Sequence, residues 1–221
     1  MKHYYKLGAS LFLFSTSLFA DSSIDLRAEY ERWNTGINGS THAMLYGFGG
    51  THYLKDKLAV SGGLVTGNHS SPDDTFDKIK RMDANIGLGY QMHSKLVIFG
   101  GYRLISIKQN NSQDDERSFT DMTHGVGIGL SGFQPLSQKF LGYGRISVSG
   151  LLSTLQSDKT GKDRGTGFST GLEVGITTQI KQKFVFGLSL KQQSYSIDYN
   201  NGDANWKNNY IRVGSSISRY F

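Results

Sequence analysis

Apolar and polar residues alternate along most of the chain beyond residue 20. In the first such segment Ile24, Leu26, Ala28 and Tyr30 are separated by acidic and basic residues, and the segment 82–92 shows the same alternation most clearly. A period of two residues gives an extended strand one apolar face and one polar face. The pattern therefore predicts β-strands that are apolar on one side only.

Ten segments show this alternation, and the connections between them differ in length. Short connections lie near 55–57, 93–95, 132–139 and 180–183, and longer polar ones occupy 34–41, 67–80, 108–120, 154–166 and 199–208. Short turns at one end and longer loops at the other are typical of β-barrels that cross the bacterial outer membrane. Four short and five long connections predict ten strands, with both chain termini at the end of the short turns.

The fold class that follows is all-β: a closed, antiparallel, up-and-down transmembrane β-barrel of about ten strands, with eight strands as the alternative. No run of about 18 apolar residues occurs beyond residue 20, so a membrane helix is not predicted there. A closed barrel of tilted strands, each of about 9–11 residues, pairs every backbone group without help from water.

Composition and the N-terminal residues narrow the class further. Lys2 and Lys6 precede an apolar run that ends at Ala20, which is the pattern of a secretory signal peptide. We expect residues 1–20 to be a cleaved signal and residues 21–221 to form the barrel domain.

The chain that remains after this cleavage carries 22 basic and 18 acidic residues, without a Lys/Arg cluster and without cysteine. This mild, dispersed charge argues against a nucleic-acid partner.

The chain ends in an alternating segment, 210–221, whose last residue is aromatic. This segment resembles the assembly signal of bacterial outer-membrane proteins, in which a terminal Phe and apolar residues at two-residue steps are recognised by the barrel-insertion machinery. The residues that match this signal are Phe221, Ile217, Val213 and Ile211. Arg219 stands at a step where that family prefers an apolar residue.

In organisation, residues 21–221 resemble the small outer-membrane barrels of the OmpA-transmembrane, OmpX and opacity-protein kind, while a count of ten strands is nearer to Opc-like adhesins and omptin proteases. The resemblance implies location in the outer membrane. It also implies three classes of partner: outer-membrane lipid with lipopolysaccharide, the barrel-assembly machinery, and an extracellular ligand.

The polar faces of the predicted strands carry charged residues that would point into the barrel. These inward residues are Asp25, Arg27, Glu29, Glu31, Asp83, Arg103, Asp121, Arg145, Glu173, Lys191 and Arg212. Because buried charges need partners, we predict a lattice of salt bridges. Its principal members would be Glu29, Glu31, Asp83, Arg103, Arg145, Glu173 and Arg212. A narrow, water-filled pore with the same lining is the alternative.

Candidate catalytic and metal-binding residues fall in two of the predicted loops. His69 precedes Asp73, Asp74 and Asp77, and the segment 112–116 contains a serine and three acids. Neither loop has the Asp–His pair of an omptin protease or the Ser/His spacing of a lipid A deacylase, and the aspartates fit no EF-hand. We therefore predict no enzyme activity, metal or cofactor.

Aromatic residues beside the predicted loops and turns suggest girdles at the two membrane surfaces. Those beside the loops are Tyr30, Trp33, Phe119, Tyr195, Tyr199, Trp206 and Tyr210, and those beside the turns are Tyr90, Phe140, Phe184 and Phe221. His124 should face lipid near the loops. For function, the sequence favours a structural or adhesin-like surface role carried by the loops, over a narrow porin-like channel and, third, an outer-membrane enzyme.

Overall fold

The computed structural model describes residues 22–35, 39–55, 57–70, 78–110, 118–157, 161–200 and 205–221. These residues form ten β-strands. The strands are β1 (Ser22–Thr35), β2 (Gly39–Lys55), β3 (Leu58–His69), β4 (Lys78–His93), β5 (Leu96–Asn110), β6 (Phe119–Pro135), β7 (Phe140–Ser157), β8 (Gly161–Lys181), β9 (Phe184–Tyr199) and β10 (Asn205–Tyr220). The predicted signal, residues 1–20, lies outside the described residues.

The ten strands form a single closed barrel in which each strand pairs with its neighbours in sequence. Closure is made by β1 and β10, which pair antiparallel from Ser23 opposite Tyr220 to Thr35 opposite Asn208. Because the ring has no edge strand, every ladder is matched on both sides and the backbone needs no water. The predicted closed, antiparallel barrel of ten strands is confirmed.

Side chains obey the predicted alternation, and the barrel is apolar outside and polar within. Leu26 is 60% exposed and Val126 is 68% exposed on the outer surface, whereas Asp25, Asp83 and Glu173 are buried inside. An apolar outer band with polar residues on the inner parity is the arrangement that lipid requires of a spanning barrel. No helix in the described ranges is long and apolar enough to span a membrane.

The predicted loop boundaries are wrong, because the strands continue well beyond the apolar band. Strand lengths run from 12 residues in β3 to 21 in β8. At least five residues of each of the polar segments 34–41, 67–80, 108–120, 154–166 and 199–208 therefore belong to paired strands. Polar side chains mark where a strand leaves the apolar surroundings, while its backbone ladder continues for as long as a partner strand is present. We refer to the side of these segments as the loop end and to the opposite side as the turn end.

The turn end is compact. Three of its four turns follow a register shift in the preceding strand, between Tyr53 and Lys55, between Gln91 and His93, and between Gln179 and Lys181. The fourth turn is held by the backbone amide of Leu136, which donates to the Phe140 carbonyl at 2.9 Å. Bulges of this kind sharpen the local twist and bring a strand to its turn.

Candidate functional site in the barrel interior

Two apolar clusters occupy opposite ends of the interior. The turn-end cluster consists of Ala59, Val97, Phe99, Phe133, Leu141 and Tyr143. The loop-end cluster consists of Trp33, Ile79, Ile105, Ile107, Leu151, Tyr195, Ile197, Tyr199 and Tyr210. Every member of both clusters is buried. The interior is therefore filled by hydrophobic side chains at each end, with a charged layer between them.

Glycines on the inner parity make room for the largest of these side chains. Gly129 is the cross-strand partner of Phe99, and Gly175 is the partner of Tyr143. A Cβ atom added at Gly175 would lie 2.5 Å from the Tyr143 ring. Each aromatic ring thus packs against a glycine of the next strand, which gives close packing in an interior too narrow for two facing side chains.

Glu31 is the most deeply buried acid of the charged layer, and its side chain has no exposed surface. Arg81 Nη1 and His69 Nε2 each lie 3.0 Å from its Oε1 atom, and Arg212 Nε donates to Oε2. Trp33 packs edge-on against His69 with ring centroids 5.4 Å apart. The carboxylate is therefore surrounded by donors from β3, β4 and β10.

Asp83 forms a second centre of the charged layer. Arg103 binds it through two donors, with Nε 2.7 Å from Oδ1 and Nη2 on Oδ2. Arg212 Nη2 lies 3.2 Å and Arg81 Nη2 lies 3.8 Å from the same Oδ2 atom. Two arginines thus link Glu31 to Asp83, and such shared, bidentate pairs satisfy buried carboxylates that would otherwise be costly.

Further charges surround these two centres. Arg212 Nη1 lies 3.2 Å from Glu29 Oε2, and Arg27 pairs with Asp25. Arg145 lies over the Phe99 ring, 3.7 Å from its centroid. Tyr143 donates its hydroxyl to Glu173 at 3.1 Å. The structure therefore places all seven principal residues of the predicted network inside the barrel, on six of its ten strands.

Asp121 lies apart from this network, among hydroxyl groups of the loop-end side. Its Oδ1 atom accepts hydrogen bonds from Ser153 Oγ at 2.5 Å and from Tyr199 Oη at 3.2 Å. Thr123 Oγ1 lies 3.4 Å away. Within the described residues no cation pairs with it, so hydroxyl donors alone satisfy this carboxyl group.

Sequence reasoning missed two members of the network. His69 was predicted in a loop, but it is the last residue of β3, and its side chain is fully buried beside Glu31. Arg81 was not singled out, although it is one residue before outward-facing Met82 and therefore has inward parity. Extending the strand alternation by three residues to position 69, and by one residue to position 81, would have found both.

The predicted aromatic girdle at the loop end is largely wrong. Trp33, Tyr195, Tyr199 and Tyr210 are buried in the loop-end cluster, and Trp206 packs against that cluster. Tyr30 alone of the seven is exposed on the outer face. Parity explains the outcome, because a strand that continues past the membrane surface still directs every second residue inward.

At the turn end the aromatic prediction agrees better with the structure. Tyr90, Phe140 and Phe221 are exposed on the outer face, between 44% and 48%. His124 lies on the outer parity of β6, with its ring centroid 5.8 Å from that of Tyr102.

The candidate metal ligands of the loops, the aspartates at 73, 74 and 77 and the acids at 114–116, lie outside the described residues. No group of three potential metal ligands occurs among the residues that are described.

A cavity of about 170 Å³ lies within the charged layer. Its wall includes Arg103, Glu173 and Lys191 together with the glycines Gly87 and Gly101. We call this space the chamber. Apolar residues of the two clusters lie on either side of it along the barrel axis.

Comparison with solved structures identifies the fold. The outer membrane protease OmpT from Escherichia coli aligns with a TM-score of 0.54 at 13% identity, over 90% of this chain and 96% of that one. The beta domain of the Bordetella autotransporter BrkA gives 0.53 at 12%, over 91% and 100%. The translocator domain of autotransporter NalP from Neisseria meningitidis gives 0.53 at 9%, over 93% and 90%.

These similarities concern the fold, since barrels with different roles share it. Neither a family model nor a curated protein matches the sequence. The closed ring of ten strands, the apolar outer band and the similarity to these barrels agree on one conclusion: this chain has the fold of a small bacterial outer-membrane β-barrel.

Proposed function

We propose that this chain is an outer-membrane barrel with a closed interior, and that it has a structural or adhesin-like role at the bacterial surface. In this proposal residues 1–20 direct export, the barrel-assembly machinery inserts residues 21–221, and the loop end meets lipopolysaccharide and an extracellular ligand. The role requires no catalytic step and no cofactor.

The observation that carries the closed interior is the pair of apolar clusters. Phe99 and Tyr143 fill one end, and Trp33, Tyr195 and Tyr210 fill the other. Conduction needs a continuous polar path, and apolar constrictions stop it by excluding water. Between the clusters, most of the charged residues that the structure describes pair with one another.

The outer surface at the loop end supports contact with an anionic partner. Lys80 and Lys108 are exposed cross-strand partners. Met82, two residues after Lys80 on the same face of β4, lies nearer to the apolar band. Two like charges directly opposite each other destabilise a strand pair. Phosphate groups of lipopolysaccharide would remove that repulsion. Lys162 and Arg164 add two more exposed cations on β8.

The alternative function is a narrow channel, and the chamber is the observation that favours it. The two proposals are separated by planar-bilayer conductance of the purified protein. We expect the unmodified barrel to be silent, and a variant that combines Trp33→Ala and Tyr210→Ala with Phe99→Ala and Tyr143→Ala to show conductance because both apolar clusters have been opened. Tyr30→Ala, which alters an exposed aromatic on the same strand as Trp33, is the control and should stay silent. Stable channels formed by the unmodified protein would contradict the closed barrel and support the channel function.

Lipopolysaccharide contact has its own test. The lipopolysaccharide that purifies with the barrel should fall several-fold in a Lys80→Gln, Lys108→Gln variant. Lys139→Gln and Lys183→Gln, which remove two exposed cations at the turn end, should leave it unchanged. Equal amounts in all three preparations would contradict the contact.

A further inference from the structure

Among the residues that the structure describes, the charged layer contains one cation more than it contains acids. Its cations are Arg27, Arg81, Arg103, Arg145, Lys191 and Arg212, and its acids are Asp25, Glu29, Glu31, Asp83 and Glu173. Asp121 is not counted in this layer, because it does not line the chamber and its described partners are the hydroxyl groups of Ser153, Tyr199 and Thr123. An uncompensated charge inside a barrel surrounded by lipid is costly.

The excess is located at Lys191. A single row of cross-strand partners runs from Arg145 to Glu173, then to Lys191 and on to Arg212. Glu173 therefore stands between two cations. Arg212, on the other side of Lys191, is directed toward Glu29, Glu31 and Asp83.

Lys191 makes no hydrogen bond or ion pair with any residue that the structure describes. Its side chain lines the chamber, whose wall also carries Arg27, Arg103, Arg145 and Arg212. Three acids, Glu29, Asp83 and Glu173, line the same wall. Five cations thus face the chamber against three carboxylates, two of which already bind arginine.

The wall of the chamber also carries neutral hydrogen-bond donors. Ser147, Ser149 and Gln193 line the chamber, and each offers an O–H or N–H donor. The volume of about 170 Å³ greatly exceeds the roughly 10–15 Å³ that one water requires. The chamber therefore has room for an ion and several waters.

We propose that the chamber binds one small monovalent anion, of the size of chloride, between Lys191 and the guanidinium groups of the same wall. A single negative charge balances the excess of one cation. The anion would be enclosed when the barrel folds and would act as a structural ion, held between the two apolar clusters. This inference is independent of the surface role proposed above.

The test uses the full barrel refolded in detergent, with sodium chloride, sodium bromide or sodium gluconate at equal ionic strength. Gluconate is a much larger anion than chloride or bromide. Because an ion that binds only the folded state raises its stability, we expect chloride and bromide to raise the unfolding temperature by at least about 2 °C relative to gluconate. Lys191→Met should abolish that difference. Lys108→Met, which removes an exposed cation at the loop end, should retain it.

A direct measurement covers the case in which Lys191→Met does not refold. Crystals of the unmodified protein grown in sodium bromide should show an anomalous peak inside the chamber, beside the Lys191 ammonium. Peaks on the outer surface alone, or unfolding temperatures that are equal in chloride and gluconate, would overturn the proposal.

Discussion

Arg212 on β10 meets Asp83 on β4, with 3.2 Å between Nη2 and Oδ2, although 129 positions separate them in the chain. The two strands are not neighbours in the barrel, so this contact crosses the interior. Arg212 also binds Glu29 and Glu31 on β1. One guanidinium therefore connects carboxylates on two strands that are three positions apart in the ring, and the charged layer acts as a cross-brace.

Asp83→Asn should destabilise the barrel strongly. The substitution keeps the shape of the side chain but removes the charge that binds Arg103 and Arg212, and buried charges left without partners typically cost about 3–5 kcal/mol. The free energy of unfolding in urea, followed by the heat-modifiable shift in gel mobility, measures the loss. Asp198→Asn, at an exposed position near the loop end of β9, should change it by less than about 0.5 kcal/mol. Similar values for the two variants would show that the cross-brace contributes little.

Gly175→Ala should also destabilise the barrel, for a steric reason. The new Cβ atom would lie 2.5 Å from the Tyr143 ring, so the ring must move within the closely packed turn-end cluster. Overpacking of this kind costs about 1–3 kcal/mol. Gly144→Ala is a matched control on β7, since nothing lies within 4 Å of its added Cβ atom. The prediction fails if the two alanine variants unfold at the same urea concentration.

Much of the fold could be predicted from the sequence because lipid enforces a strict rule on every outward position. Any polar residue at an outward position such as Leu26 or Ile86 would break the apolar band, so the two-residue period survives across all ten strands. The same rule identified the inward charges, including Glu31 and Asp83. What parity does not give is the partner of each charge, since Arg212 reaches both β1 and β4 across the interior.

The loop end was predicted less well, because polarity and strand termination are different properties. His69 and Arg81 are polar residues in paired strands, and their inward orientation makes them part of the charged layer. Trp33 and Tyr210 are inward for the same reason, and they stack on each other with ring centroids 5.6 Å apart. Alternation read through the polar segments, rather than stopped at them, would have assigned all four to the interior.

The orientation of the barrel predicts which end is accessible from outside the cell. Ser70 is exposed at the loop end, where its backbone amide lies 3.4 Å from the His42 carbonyl, and Ser94 is exposed in the turn between β4 and β5. With the loops outward, a membrane-impermeant thiol reagent should label Ser70→Cys on intact cells and leave Ser94→Cys unlabelled. Both positions should react after the outer membrane is permeabilised. Labelling of position 94 alone on intact cells would reverse the orientation.

Phe221→Ala should lower the yield of inserted barrel several-fold without a matching loss of stability once the barrel has folded. In the folded chain Phe221 is 47% exposed, and the Arg219 guanidinium lies over its ring at 5.0 Å. The Phe221 backbone amide donates to the Ser22 carbonyl at 3.1 Å. Alanine keeps that backbone hydrogen bond. The ring therefore contributes little to the stability of the folded barrel, and a large effect in cells would come from recognition during assembly.

Phe140→Ala is the control, because it removes another exposed aromatic at the turn end. The two variants should refold in detergent with similar unfolding temperatures, while only Phe221→Ala accumulates as uninserted chain. If Phe221→Ala inserts normally, Phe221 has no role in assembly. If its unfolding temperature is well below that of Phe140→Ala, Phe221 contributes to the stability of the folded barrel instead.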